Sequence, residues 1–115
     1  MKRLIRSVLI LTLFLFSTQL SHAQNMIEIN QSAAETTAEL KKEVKFNAEQ
    51  EDRIYESYVL YHKKLVHIDK MSSANPNSAL EEKKKVYTEL CDNLKKILNK
   101  EQFARFEAIE KYKSE

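Results

Sequence analysis

Apolar residues recur along this chain in steps of three and four. The row Ile54, Tyr58, Tyr61, Leu65 and Ile68 has Tyr55, Val59, His62 and Val66 on its flank. A second row runs through Leu80, Tyr87, Leu90, Leu94 and Ile97, beside Val86, Cys91 and Leu98. Phe103, Phe106, Ile109 and Tyr112 form a shorter third row, and Ala38, Leu40 and Val44 a thin stripe within residues 34–44. At 3.6 residues per turn each row falls on one helical face, and a face of that breadth must be buried against another element. The pattern predicts an all-α fold of two long antiparallel helices flanked by a shorter helix at each end.

The boundaries come from residues that cap or break helices. Pro76 lacks an amide hydrogen and biases Asn75 away from helix, so the stretch Met71 to Ala79, "MSSANPNSA", reads as the turn between the long helices. The stretch "FNAEQ", Phe46 to Gln50, returns as "LNKEQ", Leu98 to Gln102. An Asn cap can accept a hydrogen bond from the amide of the third helical residue. A Gln at that residue can reach back to the amide of the cap. Asn47 with Gln50, and Asn99 with Gln102, have this spacing, as do Ser32 with Glu35 and Ser78 with Glu81. Four helix starts are therefore expected, with Leu98 and Phe103 forming a hydrophobic staple at the last. Each cap contributes about 1 kcal/mol, enough to set where a helix begins.

The beginning of the chain has a different character. Lys2, Arg3 and Arg6 precede an apolar run from Val8 to Phe16 and a Ser21-His22-Ala23 ending, the layout of a cleaved secretory signal peptide over residues 1–23. The expected organisation is that signal, a flexible lead over 24–31 and one helical domain over 32–115. The whole chain has a net charge of +2, but the signal holds three of its 19 basic and none of its 17 acidic residues. The exported part is thus close to neutral, which removes the case for nucleic acid as a partner. There is no glycine, which excludes glycine-built phosphate loops.

With a signal peptide and an Asn-x-x-Gln sentence opening the second and last helices, the chain resembles the Spy/CpxP-like family of periplasmic proteins. The resemblance rests on "FNAEQEDRIYESYVLY" and "ILNKEQFARFEAIE" and covers residues 34–113. Family members carry a Leu-Thr-x-x-Gln motif. Asn replaces Thr in both copies here, Phe46 replaces Leu in the first, and the exported charge is near neutral where chaperone members are basic. The resemblance implies a thin, cradle-like homodimer in the periplasm that binds unfolded or misfolded proteins without ATP. The alternative it implies is an interaction protein acting on an envelope stress or metal-sensing system through a membrane sensor.

The sequence offers little for catalysis, so no enzyme activity, catalytic residue or cofactor is expected. His62 and His67 are five apart, whereas a zinc pair on one helix wants three or four, so no metal site is expected either. Cys91 is the single cysteine and has no intramolecular partner. Lysine runs alternating with glutamates read as solvated faces. The candidate client-binding residues are Tyr55, Arg53 and Lys63 on the first long helix. Tyr58 and Tyr61 belong to its stricter apolar row and are expected in the core, which turns Tyr55 outward.

Overall fold

The computed structural model describes residues 25–72 and 74–114. The expected signal peptide lies outside the described residues. A first helix, α1, covers residues 25–44, followed by α2 (Ala48–Met71), α3 (Pro76–Ile97) and α4 (Lys100–Ser114). The described residues contain no strand, so the fold is all-helical.

Two helix starts differ from their expected positions, each for a local reason. Residues 25–31, expected as a flexible lead, are helical, and Ser32 lies inside α1 rather than capping it. The buried stripe of α1 extends a turn and more toward the N-terminus, through Ile29, Ala33, Thr37, Leu40 and Val44, so burial of Ile29 and Ala33 overrides the cap signal. The Thr37 hydroxyl donates to the Ala33 carbonyl at 2.7 Å, which satisfies a buried polar group within the helix. At α3 the cap is Asn75, whose side chain accepts from the Ser78 amide at 3.4 Å, so Ser78 is helical. Pro76 then occupies the first turn, where its missing donor costs no helix bond.

Contacts between α2 and α3 run from the start of α2 against the end of α3 to the end of α2 against the first half of α3. Gln50 reaches the Ile97 carbonyl, the Tyr61 ring meets Tyr87, Lys64 pairs with Glu89, and Asp69 with Lys83. These ion pairs are at the surface and contribute at most about 1 kcal/mol each. Burial provides the larger force. One cluster gathers Ala33, Leu40 and Val44 of α1, Phe46, Ile54 and Tyr58, then Leu90, Leu94, Leu98 and Phe106. A smaller one joins Ile68, Ala79 and Val86, with Tyr61 packed against it. The larger core therefore surrounds the two capping sentences, and the smaller lies toward the proline turn.

Lys45, directly after α1, has φ 61°, the left-handed region in which glycine is the usual residue. Its amide donates to the Lys41 carbonyl at 3.0 Å, closing the helix end. Arg105 of α4 donates to the Val44 carbonyl at 3.1 Å and satisfies a second acceptor there.

Candidate functional site

The repeated sentences meet in space. Asn47 and Gln50 exchange the two bonds of a capping box at 2.9 and 2.8 Å, and Asn99 and Gln102 do the same at 3.0 and 2.8 Å. Gln50 Nε2 also donates to Gln102 Oε1 at 2.8 Å, and Gln102 Nε2 donates back to Gln50 Oε1 at 3.2 Å. The second amide hydrogens reach matched carbonyls, Ile97 from Gln50 at 3.1 Å and Lys45 from Gln102 at 3.3 Å. A primary amide has two donors and two acceptor lone pairs. Each glutamine thus fills its whole inventory, one bond on its own cap and three on the other copy. The apolar residues obey the same offset: Phe46 matches Leu98 and Ile54 matches Phe106, and all four are buried in the larger core. This clasp joins the start of α2 to the start of α4.

Away from the clasp, aromatic rings form a layer across the helices. Tyr58 and Tyr61 meet edge to face with centroids 6.4 Å apart, and Tyr61 meets Tyr87 at 6.3 Å. His62 lies 5.5 Å from Tyr61. The Tyr87 hydroxyl donates to Glu110 of α4 at 3.0 Å. Burial, with the Glu110 carboxylate second, holds the Tyr58 phenol protonated far above the usual tyrosine range. Burial and then the hydrogen bond to Glu110 do the same for Tyr87. Cys91 is half-buried, and burial raises its thiol against the opposing bond from Tyr87, so it is not an activated nucleophile. Burial lowers the His62 pKa, and its Nε2 is enclosed without a hydrogen-bond partner.

The expected client-binding residues fall into different environments. Arg53 and Lys63 are exposed. Tyr55 is not turned outward: it is half-buried against the larger core, with Val59 beside it. The same core takes in Ala33, Leu40 and Val44 of α1. Tyr58 is buried, whereas Tyr61 is half-buried at the junction of both cores. Sequence reasoning missed Tyr87, Glu110 and Arg105 as polar connectors, since each acts through a helix distant in sequence. The amide-to-amide bond was signalled only by the repeat itself.

Among the described residues no group of three or more His, Cys, Asp or Glu side chains could hold a metal ion, and no helix is long and apolar enough to cross a membrane. No family model, curated protein or solved structure matches the chain.

Proposed function

We propose that this chain is an exported, ATP-independent chaperone of the Spy/CpxP-like kind, and that its antiparallel α2 and α3 form the frame of a cradle-like dimer. The observation that carries the reading is the contrast between the clasped end of the long helices and their middle. One end is tied by the glutamine clasp and the larger core. The middle presents half-buried Tyr61 and exposed Tyr87 rings, with Leu60 beside them and Leu80 nearer the proline turn also exposed, among lysines and glutamates. Tyrosine offers a broad apolar face with a polar edge, and surrounding charges steer encounters, which suits transient capture of unfolded segments. Tyr55 is half-buried rather than exposed, so the role passes to the exposed Tyr87 ring.

The test is suppression of aggregation of an unrelated unfolded protein, without nucleotide, at up to equimolar chaperone. Tyr87→Ser should weaken protection at least about threefold while leaving the helical circular dichroism unchanged, and Tyr87→Phe, which also loses the bond to Glu110 but keeps the ring, should protect as the parent does. Full protection by Tyr87→Ser moves the contact elsewhere. Absence of protection by the parent protein overturns the chaperone reading in favour of an interaction protein. Sedimentation at micromolar concentration tests the dimer.

A further inference from the structure

The side of α2 between Leu60 and Met71 carries a pattern separate from the tyrosine layer. Lys63, His67 and Lys70 follow one another by four and three residues and share one side of the helix. With Val66, and with Met26 and Ile29 of α1, they line a groove of about 340 Å³. Every ionisable group in that lining is a lysine or histidine. Carboxylates line the adjoining grooves, one of which Lys63 and His67 also border with Glu82 and Glu89 of α3. Glu28 and Asp69 border a second groove, which contains His62, and Lys83 holds Asp69 at 2.8 Å. Toward α3, Glu89 is paired with Lys64 at 2.6 Å and Glu82 with Lys85 at 3.6 Å. The α1 N-terminal turns therefore separate a basic groove from an acidic one.

Apolar groups stand at both ends of the basic stretch. Leu60 is 47% exposed and Met71 59%, and the steps 60, 63, 67 and 71 keep them in line with Lys63 and His67. From Leu60 to Met71 the helix rises roughly 16 Å, the length of about five extended residues.

We propose that this surface selects the client: a segment of about five extended residues with carboxylates at its centre and apolar side chains at its ends. The inference rests on the chaperone reading above and names the class of chain it captures. Carboxylates meet Lys63, His67 and Lys70 over an apolar floor, while the end residues cover Leu60 and Met71. An apolar peptide without acids gains the second contact only. A basic one is repelled.

Fluorescence anisotropy of labelled peptides tests this with the purified protein. One peptide has a leucine at each end and three glutamates between; its counterparts carry glutamines or lysines in their place. The acidic peptide should bind at least about tenfold more tightly than the glutamine form, with a strong salt dependence. Lys63→Glu with Lys70→Glu should remove that preference; both residues are exposed, and the Gln pair should weaken it if the reversed pair fails to fold. Equal binding of the three peptides, or a preference that survives both variants, overturns the inference. Binding to vesicles containing anionic lipid, without binding to the acidic peptide, overturns it in favour of a membrane surface. Aggregation assays run in parallel keep the two proposals apart. Equal protection of acidic and basic clients leaves the chaperone reading and removes the groove's role. Selective peptide binding without protection does the reverse.

Discussion

Gln50 and Gln102 each serve a local and a distant partner with one amide, so truncating either leaves donors and acceptors of the other copy unfilled. Gln50→Ala or Gln102→Ala should cost about 1–3 kcal/mol, because partly buried polar groups lose their partners. The double variant should cost less than the sum by about 0.5–3 kcal/mol, since the second truncation removes groups already stranded. Urea denaturation of the four-member cycle checks this, and strict additivity would mean that the amide pair contributes nothing. His62 poses the opposite case, an enclosed nitrogen without a partner. Its cavity holds Glu28 and Asp69, and the Tyr58 and Tyr61 rings lie beside it. Burial favours the neutral ring, so above the ordinary value of 6.5 the fold carries no penalty at this residue. As pH falls below 6.5 the unfolded chain takes up the proton first, and stability declines until the folded ring protonates as well. His62→Phe should flatten that decline in denaturation measured from pH 7.5 to 5, whereas an unchanged slope would assign the pH dependence to other groups.

At the scale of the helices, exposure separates positions that look alike in sequence. Leu94 and Leu80 both belong to the apolar row of α3, yet Leu94 is 0% exposed and Leu80 58%. Leu94→Ala should destabilise by about 2–5 kcal/mol. Leu80→Ala should stay within about 0.5 kcal/mol, and calorimetric melting of the two variants gives the comparison. The rows and caps made the helices themselves legible, because period and capping chemistry act within a few residues. Asn47 and Asn99 could be read from their own neighbours for that reason. The starts of α1 and α3 could not. At α1 the deciding contact is burial of Ile29, and at α3 Asn75 stands nearer the proline than the Ser78 that also fits the spacing. Tyr55 was misplaced by the same gap between scales, since the core it packs against is assembled from several helices.

Over the whole molecule, polar closure lies at one end of the long helices and the exposed aromatic layer at their middle. The repeat announced that two places in the chain share a device, but spacing alone does not say that they touch. Contact between Gln50 and Gln102 depends on how α2 and α3 pair, which is a property of the packed core. The aromatic layer was legible on one side only, through Tyr58 and Tyr61. Tyr87 completes it from α3. The clasp also has a consequence for chain connectivity. One capping box lies in the half formed by α1 and α2, the other in the half formed by α3 and α4, and the short segment around Ala74 joins them. In the intact chain that tether holds the halves at a high effective concentration, and their mutual recognition is independent of dilution. A nick at the tether would turn the same amide pair into a contact between two molecules, subject to mass action, with each fragment carrying a glutamine that lacks three of its four bonds as its recognition element.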